Sequence, residues 1–227
     1  MELLKVYILA VTKASYGDYC IAGITEEGKW IRPIPASNIS RFWTTQQLTT
    51  EKGIFLRAGD VLEFNGNPPE KFQHKNHTED IVVKGKMRII ERLSNDKLIN
   101  FLHNKSASIQ EFTDTINAQG RSLCLVKVDE IESYTTQWED QPLKPKVTFT
   151  SKRFDVNNPL TNKGDYIVKD CKWASLILKD EVPKIPYTDI YVSIGLATPS
   201  PFNNVEYPQV IGIQTKVEVP FPDSYPN

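Results

Sequence analysis

Cysteine is scarce in this chain: Cys20, Cys124 and Cys171 are its only thiols, an odd count at wide spacing. No CxxC or CxxxC pair occurs, so neither a zinc ribbon nor a disulfide framework is indicated, and a reducing cytoplasm is the expected setting. An excess of charge of one sign is missing too. The chain has 27 Lys+Arg against 28 Asp+Glu, a formal net charge of -1. A strongly basic domain would advertise nucleic-acid binding through counterion release, so any such binding here has to rest on a local face. Long apolar runs are absent. The stretch Leu3–Val11 is short, breaks at Thr12-Lys13 and lacks a basic leader and a small-residue cleavage site, so it reads as a strand and not a signal peptide. Nothing approaches the ~20 apolar residues of a membrane span, and no membrane association is expected. A Gly-x-Ser-x-Gly elbow, a Walker loop and a dinucleotide glycine fingerprint are all lacking. The expectation is therefore a non-enzymatic protein with no catalytic residues, no resident metal and no cofactor.

What is present is an ordinary globular composition, 40% hydrophobic and 24% charged over 227 residues. The first third reads as strands. Lys5–Thr12 is rich in β-branched and aromatic residues, and Tyr19–Ile24 follows a Gly17-Asp18 turn signal. Glu26-Glu27-Gly28 connects tightly into Lys29–Ile34, a hairpin signature, and Pro33 and Pro35 are expected to end its second arm. Residues 39–48 suggest a helical turn or lid, Asp60–Phe64 a strand, and Asn65–Asn76 an exposed polar loop. Strand character returns from Ile81 to Leu93, interrupted by Gly85.

The period then changes. Ser94-Asn95-Asp96 is a helix start followed by Leu98, Ile99, Phe101 and Leu102, and Ser108 offers a second N-cap before Ile109, Phe112 and Ile116. A second β region starts at Ser122–Val128, with further candidates at Lys146–Phe154, Tyr166–Val168, Asp189–Leu196 and Gln209–Val219. A proline-rich, extended tail closes the sequence. Short strands separated by turn signals favour antiparallel barrels over an α/β sheet.

Several stretches together resemble the dual OB-containing domain family of prokaryotic proteins. They are Tyr7–Lys13 running into Cys20–Ile24 and Gly28–Pro33, then Gly59–Glu63 and the polar segment His74–Asp80. Further on come Arg121–Lys127, Val147–Phe149, Asp165–Asp170 and Tyr191–Leu196. Asp80 stands where the family's pattern has Asn. The resemblance spans nearly the whole chain and implies a mainly β fold of two OB-like antiparallel barrels joined by a short helical segment. The expected boundaries are 1–93 for the first barrel, 94–120 for the helical connector, and 121–227 for the second barrel with its tail.

Candidate binding residues follow from chemistry. Trp30 and Arg32 sit two apart on one strand and so project from one face, a combination suited to a stacked base beside a phosphate. The blander alternative has Trp30 plugging a barrel end and Arg32 paired with a carboxylate such as Asp60. The loop Lys13-Ala14-Ser15-Tyr16 offers a cation and an aromatic beside that hairpin. A second basic-aromatic cluster comprises Lys144, Lys146, Phe149 and Lys152, with Arg153 and Phe154 next to it. His74 and His77 form an H-x-x-H spacing with Glu79 and Asp80 close by, but no further ligand of defined spacing is visible. The leading expectation is a module binding single-stranded nucleic acid or a nucleotide through a basic-aromatic OB face. An alternative is a protein-interaction subunit of a bacterial defence or mobile-element system, using the proline-rich tail. A metal-dependent hydrolase built on His74 and His77 comes third.

Overall fold

Strand β1 (Glu2–Lys13) is the longest shared wall of the protein and faces two cores at once. The computed structural model describes residues 2–14, 17–36, 41–106, 120–150, 166–184 and 187–221. Leu4, Val6 and Ile8 alternate into the interior of the first barrel, as a period of two requires. A register shift between Ile8 and Ala10 then turns Leu9 and Ala10 outwards, while Val11 returns to the interior. This one bulge lets a single strand serve both the barrel and what packs against it.

Strands β2 (Tyr19–Ile24), β3 (Trp30–Pro35), β4 (Asp60–Asn67) and β5 (Asp80–Arg92) complete a closed barrel in the order β1-β2-β3-β5-β4. All its pairs are antiparallel except β3 with β5, which run parallel from Arg32↔Asp80 to Pro35↔Val83. Pro33 therefore lies within β3, whereas Pro35 is its last residue, and the antiparallel pairing with β2 stops before either proline. Strand β2 pairs only with Trp30 and Ile31, so the prolines meet no antiparallel neighbour that needs their missing N–H groups. A single helical turn, α1 (Thr45–Leu48), lies between β3 and β4 and starts with a capping box of Thr44 and Gln47. Asn65–Asn67, read as loop, belong to β4.

Helix α2 (Asn95–Leu102) follows with Ser94 as its N-cap, and it buries Leu98, Ile99 and Leu102. The second helix expected after Ser108 lies outside the described residues.

The second half follows the first barrel's strand order in two three-stranded sheets. Strands β6 (Leu123–Val128) and β7 (Glu130–Thr136) are one bent path broken only at Asp129. Strand β7 pairs with β8 (Lys144–Thr150), and β8 pairs with β9 (Tyr166–Ile167). On the other side β6 pairs with β10 (Ile190–Leu196), and β10 pairs with β11 (Pro208–Gln214). Val168, next to β9, bridges Val210 of β11 in parallel, and the Lys169 N–H donates to the Val210 carbonyl at 2.7 Å. Counting β6/β7 as one strand, the neighbour order is first, second, third, fifth, fourth, with the third and fifth parallel. Helix α3 (Cys171–Leu178) falls between the third and fourth strands, as α1 does in the first barrel. Both halves therefore share one topology without a visible residue repeat.

Helix α3 and strand β7 had no counterpart in the sequence reading. Helix α3 buries Cys171, Trp173, Ala174, Ser175, Leu176 and Ile177, a short apolar run that length alone does not tell from a buried strand. Strand β7 is the reverse case: Glu, Ser and Thr dominate it, and only Ile131 packs against the second core.

Three apolar clusters result. One fills the first barrel and one the second. The third lies between them and combines Leu9, Ala22, Ile24 and Trp30 of the first barrel with Leu98 and Leu102 of α2 and Leu123, Leu125 and Tyr191 of the second. Among the described residues no helix is long and apolar enough to cross a membrane.

Candidate functional site

Trp30 and Arg32 do share the outer face of β3, but the second half of the molecule covers that face. Trp30 is 4% exposed within the cluster between the barrels, so its indole presents no stacking surface to solvent. Arg32 is 8% exposed and is neutralised in place. Its Nε donates to Asp80 Oδ1 at 2.5 Å, its Nη2 lies 3.0 Å from Glu79 Oε1, and its Nη1 donates to the Ser122 hydroxyl at 3.5 Å. Arg41 adds a second guanidinium against Asp80 Oδ2. Asp60, the carboxylate expected for Arg32, instead pairs with Arg92, whose Nε and Nη2 donate to its two oxygens at 2.5 and 2.8 Å.

The polar segment that carries Glu79 and Asp80 is not an exposed loop. Asn76, His77, Glu79 and Asp80 are all buried, because they tie the first barrel to the start of the second. The Ser122 N–H and hydroxyl both donate to Glu79, the Thr78 N–H donates to the Gly120 carbonyl, and the Asn76 amide donates to Glu206. His77 packs edge-on to His74, with ring centroids 4.7 Å apart, and among the described residues neither of its ring nitrogens has a hydrogen-bond partner. Burial, with Arg32 and His74 nearby, pushes its imidazole down to about 2, which keeps it neutral. Among the described residues no group of three or more His, Cys, Asp or Glu side chains comes together to hold a metal. Cys20 lies near this cluster, and burial raises its thiol despite Arg32 and Arg41.

The remaining candidates divide by exposure. Lys13 ends β1 and is half-buried, whereas Tyr16 and Lys152 lie outside the described residues, as do Arg153 and Phe154. Phe149 is buried in the second core and stacks on Tyr166 with centroids 5.0 Å apart. Lys144 and Lys146 do share the outer face of β8, across from Thr136 and Tyr134 of β7. The hairpin tip beyond them exposes Trp138 (72%) and Leu143. Two of the three aromatic rings proposed for stacking are thus structural, and the basic pair on β8 stays at the surface.

A broad concave surface lies elsewhere, on the first barrel between α1 and the far half of β5. This groove has a volume of about 1560 Å³. Trp43, Ile54, Met87 and Ile89 give it apolar surface, while Lys52, Lys86, Arg88 and Arg92 line it with Glu51 as the one carboxylate among them. The Trp43 indole N–H donates to the Pro33 carbonyl at 2.8 Å, fixing the ring at the base of the groove. Arg88 pairs with Glu63 and Arg92 with Asp60. Lys52 and Lys86 make no ion pair among the described residues. Strand β5 bends at this point: Glu63 faces Arg88 and Asn65 faces Lys84, so Gly85, Lys86 and Met87 bulge opposite a single residue, Phe64. Gly85 supplies the left-handed turn this needs, at φ 82°. The signal was legible as Lys84-Gly85-Lys86-Met87-Arg88, basic residues at alternate positions around a glycine. It passed as an interrupted strand because no neighbouring aromatic drew attention to it.

No curated protein matches this chain. A family model described as a dual OB-containing domain matches residues 4–213, nearly the whole length, in agreement with two halves of like strand order. The chain belongs to the dual OB-containing domain family.

Proposed function

We propose that this protein is a binding module that holds single-stranded nucleic acid, or a nucleotide, in the groove of its first barrel. The observation that carries the reading is the run of cations along β5, joined by Lys52 from the turn after α1, set over an apolar base in a fold whose barrels present such surfaces to ligands. Lys52 and Lys86 are the strongest phosphate contacts, since neither is engaged by a carboxylate among the described residues. Arg88 sits in an exposed pair with Glu63, which costs little to exchange for a phosphate. Lys144 and Lys146, on one outer face of β8, give a second stretch for a longer strand. With a net charge of -1 the attraction is local, so binding should be modest and steeply salt-dependent.

Fluorescence anisotropy with single-stranded DNA, single-stranded RNA and mononucleotides at low salt tests this. Binding is expected, and Lys86→Ala should lower the slope of log affinity against log salt by about 1. No binding to any of the three at low salt, or an unchanged slope in the variant, removes the reading.

The exposed indole of Trp138 and the neighbouring Leu143 favour a second reading, an accessory subunit that docks a protein partner through the β7–β8 hairpin. Co-purification from the native host with Trp138→Ser separates the two, because that change leaves the groove intact.

A further inference from the structure

Strand β5 has one edge that no other strand takes up. On one side it pairs with β4 from Asn67↔Val82 to Asp60↔Arg92. On the other side it pairs with β3 only as far as Pro35↔Val83. Among the described residues no strand or bridge continues along that second edge over residues 84–91. An edge left in this way presents a row of unpaired N–H and C=O groups. The groove lies directly against it. From β5 the lining takes residues 85–89 and Arg92, its other residues come from the segment 43–54, and β3 and β4 contribute none. The groove is therefore the place that a further strand would occupy. Its volume of about 1560 Å³ exceeds the roughly 300–1,000 Å³ of small-molecule sites, which leaves room for a length of polymer.

The side chains along the edge select the kind of strand. Met87 and Ile89 turn inwards and pack against the first core, whereas Lys86 and Arg88 are exposed. Apolar surface and positive charge thus alternate with a period of two, the way a strand presents itself to a neighbouring strand. Lys86 makes no ion pair among the described residues, and Arg88 gives only its Nη2 to Glu63. Across the groove the facing wall repeats the combination, with Lys52 and the exposed Ile54. Like charges opposite one another repel, so this edge disfavours a second basic edge and favours a strand that brings carboxylates. Glu91, paired with Lys97, ends the cationic stretch.

We propose that the open edge of β5 takes up an extended acidic peptide of a protein partner by strand addition. Its main chain pairs with residues 86–89, its carboxylates at alternate positions meet Lys86 and Arg88, and the apolar side chains between them lie over Met87 and Ile89. This goes beyond nucleic-acid binding in the groove and does not depend on it. Where both hold, peptide and nucleic acid compete for Lys86 and Arg88.

The test uses the full chain and a labelled synthetic peptide of alternating glutamate and valine, followed by fluorescence anisotropy at low salt. A peptide of alternating lysine and valine is the charge control. Two N-methylated forms of the acidic peptide, one methylated at every glutamate and one at every valine, each remove the N–H groups of one edge. Saturable binding of the acidic peptide alone is expected, with one N-methylated form about tenfold weaker or more and the other close to the parent. Lys86→Glu should weaken the parent peptide by about fivefold or more. Bound peptide should also slow amide exchange within residues 86–89 by about tenfold or more. Absence of saturable binding by the acidic peptide overturns the proposal. So does equal affinity of the two N-methylated forms, or unchanged exchange over residues 86–89. Single-stranded DNA that binds where the peptide does not removes strand addition and leaves the nucleic-acid reading, and the opposite result leaves strand addition alone.

Discussion

Replacing Arg32 with leucine would leave Glu79 and Asp80 buried between the barrels with a lost partner. Removing one member of a buried ionic group typically costs about 3–5 kcal/mol, because the remaining charge cannot regain water. The low end, about 3 kcal/mol, is expected for Arg32→Leu, since Arg41 still faces Asp80 and Ser122 still donates to Glu79. Urea unfolding measures this, and a loss below about 1 kcal/mol would mean that the cluster is solvated in solution. Side-chain alternation was enough to put Trp30 and Arg32 on one face, and burial with a carboxylate was already an open alternative. It could not reveal that a second barrel covers that face, because covering depends on contacts about ninety positions away, such as Arg32 with Ser122. The same limit hid the burial of His77 and Glu79. Polar residues look exposed in a sequence unless their partners are known.

At the scale of single elements, α3 is governed by the carboxyl that starts it. Asp170 caps the Trp173 N–H inside the protein, where burial raises it from an ordinary 3.8 to about 7. A raised folded-state value means that the protonated form is favoured on folding. The stability this confers is complete below about 3.8 and is lost as pH rises through 7. Asparagine caps as well as aspartate and does not ionise. Asp170→Asn should therefore be the more stable protein at pH 8, with its advantage shrinking towards pH 4, by an amount on the order of a few kcal/mol across that window. Denaturant midpoints of both proteins at the two pH values check the sign, and parallel pH profiles would show that Asp170 ionises freely in the fold. Elements with a one-sided pattern, such as the Ser94-capped α2, were readable in advance. Helix α3 was not, since its eight residues are mostly apolar and buried, a run too short to tell from a buried strand. The cationic stretch of β5 was readable as spacing but not as a groove, because the opposing wall comes from α1.

For the whole molecule, the open point is whether two barrels of one topology behave as one body, and the packing of β11 on β1 bears on it directly. The bulge after Ile8 presents the Leu9 carbonyl to the second barrel, where the Gln214 amide donates to it at 2.8 Å. Beside it, Gly212 leaves just enough room: a Cβ added there would stand 2.1 Å from the Leu9 oxygen, and that oxygen is backbone and cannot swing away. Gly212→Ala therefore cannot be absorbed by a side-chain rotation. Either β11 shifts within its own sheet or the barrels separate, which uncovers Leu9, Trp30, Leu125 and Tyr191 together. Overpacking of this kind costs about 1–3 kcal/mol. In a chain of 227 residues that lowers Tm by roughly 2–4 °C per kcal/mol. Because the shared cluster draws side chains from both halves, the unaltered protein should melt in one calorimetric transition, and the variant should melt earlier with the transition broadened or split. An unchanged single transition in Gly212→Ala would mean that the close approach of β11 to β1 does not persist in solution.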